Sequence, residues 1–337
     1  MELVLGGRAC GKTDYVREKY KRCILLAPDT PWEEIREKAR VLPLDTALVL
    51  DRLHEGIRLA LEGGKDREEI LAFLTALARE VPSLVVVTDE IGCGIVPLDP
   101  FDRRWREVTG RIGTELAKQA GTVTRIQCGI PQALKCAPHP RQKVLLLRHG
   151  KTRGNLERRY IGRTDEPLCP EGRQELLEKR RNLPATAPGT PLYVSPLLRC
   201  RESADLLFPG IPKIPVSDLR EIDFGRFEGK RAEDLSGDPA YQAWIDSGGT
   251  LPFPAGEARD HLEARTDAAF WKILQQDPGE MPPDLIFVVH GGTIMSVLSL
   301  LTGKDYYDFQ VPNGDGYQLV LHRENGCVLV DSLRRLS

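Results

Sequence analysis

The chain has 337 residues, of which 41% are hydrophobic and 28% charged, and its formal net charge is −2. This length exceeds what one hydrophobic core usually holds and predicts two domains. The near-neutral charge gives no electrostatic argument for nucleic acid or an anionic membrane, and neither is predicted as a partner. No run approaches the ~20 apolar residues of a membrane span, and neither a membrane segment nor a secretory leader is expected. Eight cysteines without C-x-x-C spacing predict free thiols in a reducing cytoplasm.

A glycine-rich loop follows the first short apolar strand, predicted over residues 2–5. Residues 6–13 match the pattern G-x-x-x-x-G-K-[ST] in full. In this pattern glycines let backbone N–H groups curl around phosphate oxygens, and the next helix offers its positive end. The pattern favours nucleotide binding over a plain glycine-rich turn. The candidate nucleotide-binding residues are Gly6, Gly7, Gly11, Lys12 and Thr13.

Strands and helices alternate after this loop, which is typical of an α/β domain. Strands are predicted at residues 23–27, 47–51 and 84–90, and helices at residues 53–61, 68–77 and 102–119. Lys12 is expected to reach the β- and γ-phosphates of GTP or ATP, and the Thr13 hydroxyl to bind Mg²⁺. Asp51 or the Asp89–Glu90 pair could hold the same Mg²⁺, although acids at strand ends are more often solvated turn residues.

The run T-D-E-I-G-C-G-I-V-P at residues 88–97 leads into an arginine-rich helix. Together with the glycine-rich loop, it resembles the adenosylcobinamide kinase/adenosylcobinamide-phosphate guanylyltransferase family of cobalamin assembly over residues 1–135. The resemblance implies a P-loop NTPase-type α/β domain. In that family a longer segment between the second and third strands carries the histidine that accepts the guanylyl group.

The corresponding stretch of this chain, residues 28–46, is short and contains no histidine. His54 lies on the next helix and does not match the family's position. Guanylyl transfer is therefore not expected. Kinase activity and a domain kept for nucleotide binding, regulation or docking stay open as alternatives.

A short polar segment with two prolines, residues 136–142, separates the two halves of the chain. Proline breaks helices and favours an extended connection, so this segment is predicted to be a linker. His139 is interpreted as a linker residue without a chemical role. The second domain is predicted to span residues 143–337.

Two histidines in the second half each follow an apolar run that is typical of a buried strand. His149 follows residues 143–147 and Arg148, and His290 follows residues 285–289. Because parallel strands present their carboxyl ends at one edge of a sheet, the two histidines are expected to converge on one crevice.

Two arginines and a glutamate complete the candidate site. Arg148 and Arg199 carry planar donor groups suited to phosphate oxygens. Nearby positive charge is expected to keep the pKa of His149 low, which leaves a ring nitrogen free to attack. Glu221, facing a phosphate dianion, would hold its proton more readily and could pass it to a leaving oxygen. These groups fit phosphoryl transfer through a phosphohistidine.

The same elements, in this order, resemble the histidine phosphatase (phosphoglycerate-mutase-like) superfamily over residues 143–337. The resemblance implies an α/β sandwich that needs no metal or other cofactor. By this resemblance His149 is phosphorylated, and Glu221 is the proton donor and then the base for the attacking water. The residues implied to bind the phosphoryl group are Arg148, Asn155, Arg199 and His290. Nothing marks Cys200, beside Arg199, as a nucleophile.

The F-P-A-G-E run at residues 253–257 and the fusion partner favour the α-ribazole phosphatase branch, with α-ribazole 5′-phosphate as substrate. The branch's usual P-G-G-E-S is P-A-G-E-A here, so the reaction type is better supported than the substrate. A broad-specificity phosphatase of small metabolites is the alternative, and a mutase is less well supported. Trp244 and Trp271 are expected to pack under a lid region, with stacking on a substrate base as the other option. The sequence does not predict an oligomeric state.

Overall fold

A computed structural model describes residues 1–43, 45–136, 141–187, 189–275, 284–324 and 327–336. The chain divides into two compact units. One comprises Met1–His139 with Arg323–Leu329, and the other Pro140–His322 with Val330–Ser337. Two six-stranded sheets, together with helices, confirm the predicted mixed α/β class. Part of the predicted linker, including His139, lies outside the described residues.

The first sheet is mostly parallel. Its strands are β1 (Glu2–Gly6), β2 (Cys23–Leu26), β3 (Ala47–Leu50), β4 (Leu84–Asp89), β5 (Thr122–Gln127) and β6 (Ile130–Lys135). They lie in the order β2-β3-β4-β1-β5-β6, and β6 is antiparallel to β5. The carboxyl ends of β1, β3 and β4 meet at one edge, because these three strands are parallel neighbours. That edge carries the glycine-rich loop, Asp51 and Asp89.

Helices alternate with these strands, as the apolar periodicity predicts. They are α1 (Lys12–Lys19), α2 (Trp32–Arg40), α3 (Leu53–Glu62), α4 (Arg67–Glu80) and α5 (Pro100–Gln119). Asp66 and Glu69 form a capping box that starts α4, and Asp99 caps α5. Buried residues such as Ile57 and Leu116 belong to one apolar core together with strand residues such as Leu48. This core holds the strand ends in place.

The second sheet is mixed. Its strands are β7 (Arg141–Arg148), β8 (Leu192–Val194), β9 (Lys213–Pro215), β10 (Leu285–Val289), β11 (Gly316–Glu324) and β12 (Cys327–Arg335). They lie in the order β12-β11-β7-β10-β8-β9. Strands β7, β10, β8 and β9 are parallel neighbours, whereas β11 runs antiparallel to β7. The predicted strand over residues 285–289 has the observed bounds of β10.

The helices of the second unit are α6 (Arg153–Leu156), α7 (Pro170–Arg180), α8 (Leu198–Leu207), α9 (Pro239–Asp246), α10 (Arg259–Leu274) and α11 (Gly291–Thr302). Side chains of β7, β8 and β10 share one core with α7 and α8. A second cluster around Phe227 and Phe253 includes Trp244 at its margin. No helix in the described ranges combines the length and apolar character that crossing a bilayer requires.

Candidate active site

Strands β7 and β10 bring two histidines to the same edge of the second sheet. Val289 pairs with Arg148 in the parallel register, and a histidine directly follows the last residue of each strand. The ring centroids of His149 and His290 lie 5.1 Å apart, with the rings edge to face at 65°. Both side chains are buried. The structure therefore brings the two predicted histidines together.

A backbone contact selects the tautomer of His149. Its Nδ1 lies 2.7 Å from the carbonyl oxygen of Gly150. Because a carbonyl oxygen can only accept, Nδ1 carries the proton and Nε2 keeps its lone pair. Burial, followed by the charges of Arg199 and Arg148, holds the pKa of His149 well below its usual range. The sequence points only to the charges, whereas burial is the larger cause.

Two guanidinium groups lie close enough to act electrostatically on His149. Arg199 is completely buried, and its Nη1 and Nη2 donate to the carbonyl oxygens of Thr164 (2.7 Å) and Gly162 (2.6 Å). Arg148 donates from Nη1 to the carbonyl oxygen of Val311 at 2.7 Å. Within the described residues the buried Nε of each arginine has no acceptor. Phosphate oxygens are acceptors that suit such donors.

His290 contacts two buried polar side chains. Its Nε2 lies 2.7 Å from Oγ of Ser195 and 3.4 Å from Sγ of Cys200. Burial raises the pKa of Cys200 to about 12, so its thiol stays protonated near neutral pH and is a poor nucleophile. Ser195 begins the S-x-L-x-R run that ends at Arg199, but no role of its own was predicted for it.

Glu221 is held beside the start of α11. Its carboxylate accepts from the backbone N–H of Ile222 at 3.0 Å and of Gly292 at 3.3 Å. An added Cβ on Gly292 would overlap Oε1 of Glu221, so a side chain at this position would displace the Glu221 carboxylate. Gly292 is not among the predicted site residues, although the glycine pair after His290 is a visible signal in the sequence.

Asn155 is connected to the backbone of His149 by a second asparagine, Asn313. Its Oδ1 accepts from Nδ2 of Asn313 at 3.1 Å and from the backbone N–H of Thr152 at 3.2 Å. Nδ2 of Asn313 also lies 3.3 Å from the carbonyl oxygen of His149. The Asn155 oxygen is therefore engaged in the cap of α6. Asn313 was missed, and the turn-forming Asn-Gly pair at residues 313–314 was its signal.

A cavity of about 490 Å³ has Arg148 and Glu221 among its lining residues. Most of the remaining wall is apolar or aromatic. These residues are Ile222, Phe224, Trp244, Phe253, Met295, Tyr306, Tyr307, Val311 and Pro312. Trp244 therefore both packs against Phe253, at 5.0 Å between ring centroids, and lines the cavity. Trp271 is 3% exposed and packs in the core.

One further cation lines this cavity. The guanidinium of Arg259 lies 5.1 Å from the ring centroid of Tyr306. Its Nε also lies 3.2 Å from Oε1 of Glu263. This ion pair offsets the charge of Arg259, so the wall of the cavity is close to neutral as well as aromatic.

The glycine-rich loop lines a separate cleft of about 860 Å³ in the first unit. The φ angles of Gly6 and Gly11 are 157° and 87°, and an added Cβ on Gly6 would overlap the carbonyl oxygen of Ile126. These positions therefore require glycine. Nζ of Lys12 lies 2.6 Å from the carbonyl oxygen of Gly7 and 2.6 Å from Oδ1 of Asp89.

Two oxygen ligands of the predicted Mg²⁺ site lie side by side in this cleft. The Thr13 hydroxyl donates to Oδ1 of Asp51 at 2.9 Å. Hydroxyl and carboxylate oxygens at a strand end beside a phosphate-binding loop suit Mg²⁺, which would lower the charge of a bound nucleotide. Within the described ranges, no three His, Cys, Asp or Glu side chains form a metal-binding cluster.

His54 also lines the cleft. Its Nδ1 accepts from the backbone N–H of Asp89 at 3.1 Å, and its Nε2 lies 3.5 Å from Oδ2 of the same residue. Burial lowers the pKa of His54 more than the adjacent carboxylates raise it, so the ring is neutral near pH 7. Asp89 thus joins Lys12 to His54, a connection that the sequence did not reveal.

Residues 144–331, more than half of the chain, match the model of the histidine phosphatase superfamily (branch 1). The chain belongs to this superfamily, and its C-terminal half is a histidine-type phosphatase. Residues 30–134 match the model of the cobinamide kinase / cobinamide phosphate guanyltransferase family. That match begins after the glycine-rich loop at residues 6–13. The two predicted resemblances are confirmed.

Curated relatives of the C-terminal half include proteins named probable phosphoglycerate mutase GpmB. The protein of Klebsiella pneumoniae (strain 342) is 29% identical over 174 residues, covering 49% of this chain and 77% of the relative. The protein of Cronobacter sakazakii (strain ATCC BAA-894) is 28% identical over 171 residues, with the same two coverages.

Solved structures with a similar fold include two that are named alpha-ribazole phosphatases. A putative alpha-ribazole-5′-P phosphatase from Escherichia coli K-12 has a TM-score of 0.50 and 20% identity, covering 57% of this chain and 96% of that chain. The alpha-ribazole phosphatase from Shigella flexneri has the same TM-score and identity, covering 58% and 98%. At this identity the similarity demonstrates the fold of the second unit.

Proposed function

We propose that the second unit hydrolyses a phosphomonoester through a phosphohistidine at His149, with α-ribazole 5′-phosphate of cobalamin assembly as its substrate. The observation that carries the reaction type is the contact between Nδ1 of His149 and the Gly150 carbonyl oxygen, at 2.7 Å. It leaves Nε2 as the nucleophilic atom. The lowered pKa of His149 keeps this nitrogen unprotonated near neutral pH.

In the first step, Nε2 of His149 forms a bond to phosphorus while the ester P–O bond breaks. The Glu221 carboxyl group gives its proton to the leaving alkoxide. Negative charge on the phosphoryl oxygens is stabilised by Arg148 and Arg199, whose Nε–H groups have no acceptor among the described residues. His290, whose ring packs edge to face against that of His149, is proposed as a further group that binds the phosphoryl oxygens.

In the second step, water attacks the phosphohistidine and the P–N bond breaks. Glu221, now ionised, takes a proton from the water, and inorganic phosphate leaves. The electron pair of the broken bond returns to Nε2, so His149 recovers its starting tautomer. Glu221 stays near the reacting atoms because the N–H groups of Ile222 and Gly292 hold its carboxylate.

The wall of the cavity supports the choice of substrate. A largely aromatic wall suits a leaving alcohol that carries an uncharged aromatic base better than one that carries a carboxylate. Arg259, a cation that could hold a carboxylate, is paired with Glu263. These features favour an α-ribazole-type ester over a phosphoglycerate.

We propose further that the first unit binds GTP or ATP with Mg²⁺. The cleft contains a complete glycine-rich loop with Lys12, and Thr13 and Asp51 could hold the metal. Transfer of a guanylyl group is not proposed, because residues 28–46 contain no histidine to accept it. Phosphoryl transfer to an alcohol is one outcome of the test below.

A substrate panel tests the phosphatase proposal. Wild-type enzyme is assayed with α-ribazole 5′-phosphate, phosphoglycerates and simple alkyl phosphates. We expect a kcat/KM for α-ribazole 5′-phosphate at least about tenfold above the others. Equal rates across the panel would indicate the broad-specificity alternative. Acid-labile, base-stable ³²P labelling should disappear in His149→Ala, and labelling that persists there would exclude His149 as the nucleophile.

Nucleotide titration tests the first unit. Wild-type protein should bind GTP or ATP with Mg²⁺, and Lys12→Ala should bind at least about tenfold more weakly. Equal affinity in both proteins would refute the nucleotide site. Assay of phosphoryl transfer to adenosylcobinamide then distinguishes a kinase from a domain that only binds nucleotide.

A further inference from the structure

We propose that Ser203 is a positioning residue for the nucleophile. Its hydroxyl holds the backbone of Gly150, the residue whose carbonyl oxygen orients the His149 ring. This inference rests on the proposed role of His149 and adds a residue that is not among the predicted site residues.

Ser203 lies on α8, one helical turn after Arg199, and is completely buried. Its Oγ donates to the carbonyl oxygen of Arg199 at 2.6 Å and accepts from the backbone N–H of Gly150 at 2.9 Å. A hydroxyl group has a single proton. Because that proton is directed to the helix carbonyl, a lone pair of Oγ is left for the Gly150 N–H.

Gly150 is also confined from the side of α7. An added Cβ on Gly150 would lie 2.6 Å from Cδ1 of Leu176 and 3.2 Å from the carbonyl oxygen of Gly172. The backbone of Gly150 is therefore held between Ser203 and α7. Its carbonyl oxygen, 2.7 Å from Nδ1 of His149, is in turn a fixed acceptor for the ring.

The consequence is that α8 controls two parts of the reaction. Arg199 is the arginine proposed to bind the phosphoryl group, and Ser203 acts through Gly150 on the ring proposed to attack it. The spacing of four residues places both on one face of the helix. Without the hydroxyl, the buried N–H of Gly150 loses its acceptor and the Gly150 carbonyl can move. The His149 ring would then occupy more than one orientation and both neutral tautomers.

The test compares Ser203→Ala and Ser203→Thr with the wild type. We expect Ser203→Ala to lower kcat about 10- to 100-fold, because small displacements of a reacting group have effects of this size. KM should change less than about twofold, since the phosphoryl contacts remain. Ser203→Thr, which keeps the hydroxyl, should recover most of kcat.

A spectroscopic readout separates orientation from stability. In protein labelled with ¹⁵N-histidine, the His149 signals, assigned by their absence in His149→Ala, should report a single Nδ1–H tautomer in the wild type. Ser203→Ala should show a mixture. Ser296→Ala is the matched control, because Ser296 is also completely buried and its Oγ lies 2.6 Å from Oγ1 of Thr266. It should keep both kcat and the tautomer.

The inference is overturned if Ser203→Ala keeps the wild-type kcat and tautomer, or if it loses only thermal stability to the extent that Ser296→Ala does. A folded Ser203→Thr protein without recovery of kcat would also contradict it. Activity or ³²P labelling that survives in His149→Ala would instead refute the proposed function itself, so the two failures can be distinguished.

Discussion

Nζ of Lys12 lies 2.6 Å from Oδ1 of Asp89, so the lysine of the glycine-rich loop is already paired with a carboxylate. Both side chains are largely buried, with 7% and 14% of their surfaces exposed. The other carboxylate oxygen of Asp89 lies 3.5 Å from Nε2 of His54. A nucleotide phosphate that binds Lys12 shares its ammonium group with the Asp89 carboxylate. This ion pair therefore competes with nucleotide.

Substitution Asp89→Asn should strengthen the binding of nucleotide in the absence of Mg²⁺. We expect Kd to fall about tenfold, equivalent to ~1.4 kcal/mol, because Lys12 is no longer shared with a carboxylate. Titration with GTP or ATP in EDTA measures this effect without any metal ligand role of Asp89. Glu90→Gln removes another charge from the same cleft and is the control. Weaker binding by Asp89→Asn than by Glu90→Gln would contradict the prediction.

The pH dependence of His149 phosphorylation should differ from that of an exposed histidine. Burial and two arginines hold its pKa well below 6.5. The neutral, attacking form therefore persists as the pH falls through 6.5, and the rate is lost only at lower pH. Single-turnover rates against pH measure this, after correction for the separately measured ionisation of the ester.

Arg148→Gln provides the comparison for that profile. Removing one nearby positive charge should raise the pKa of His149 toward its ordinary value. The acid limb of the remaining activity should therefore move to higher pH. If the acid limb of the wild-type pH–rate profile already lies at pH 6.5, burial and charge do not lower the pKa of His149 as described.

Substitution Gly292→Ala should impair proton donation by Glu221. The added Cβ would overlap Oε1 of Glu221 and displace the carboxyl group. We expect kcat to fall about 100-fold for alkyl phosphates, the scale of general acid catalysis. The loss should be smaller for p-nitrophenyl phosphate, because its phenolate leaves without a proton. Gly291→Ala is the control, since its Cβ would sit 3.4 Å from Cζ of Arg148. Equal losses for both esters would argue against this role.

Substitution Trp244→Ala should change which esters are hydrolysed. Trp244 lines the cavity and packs against Phe253, so its removal takes away apolar contact with an aromatic leaving group. KM for α-ribazole 5′-phosphate should rise about tenfold, while KM for a small alkyl phosphate changes less than about twofold. Trp244→Phe, which keeps a ring, is the matched variant. Equal increases in KM for both substrates would show that Trp244 does not discriminate between leaving groups.

Alkylation by iodoacetamide should leave the phosphatase active. Cys93, Cys128 and Cys136 are exposed, whereas Cys200 is buried and its pKa is raised to about 12. We expect mass spectrometry to find label on the three exposed thiols and none on Cys200 in folded protein at pH 8. Inactivation that coincides with labelling of Cys200 would show that this thiol is accessible and close to the reacting atoms.

The local pattern of residues was sufficient to predict most of the elements and the superfamily. Apolar runs at residues 144–147 and 285–289 predict buried strands because few polar side chains can be placed inside a sheet. The order of Arg148, His149, Arg199, Glu221 and His290 was sufficient to identify the superfamily that the family model confirms. The glycine-rich loop was recognised in the same way, from spacing within eight residues.

Only the tertiary structure decided which side chains meet. The parallel register of β7 and β10 places the rings of His149 and His290 5.1 Å apart. The contacts of Asp89 with Lys12, and of Ser203 with Gly150, join residues 77 and 53 positions apart. Such contacts depend on strand register and helix packing, which are set by burial over the whole domain. A pattern confined to one turn or one strand does not contain that information.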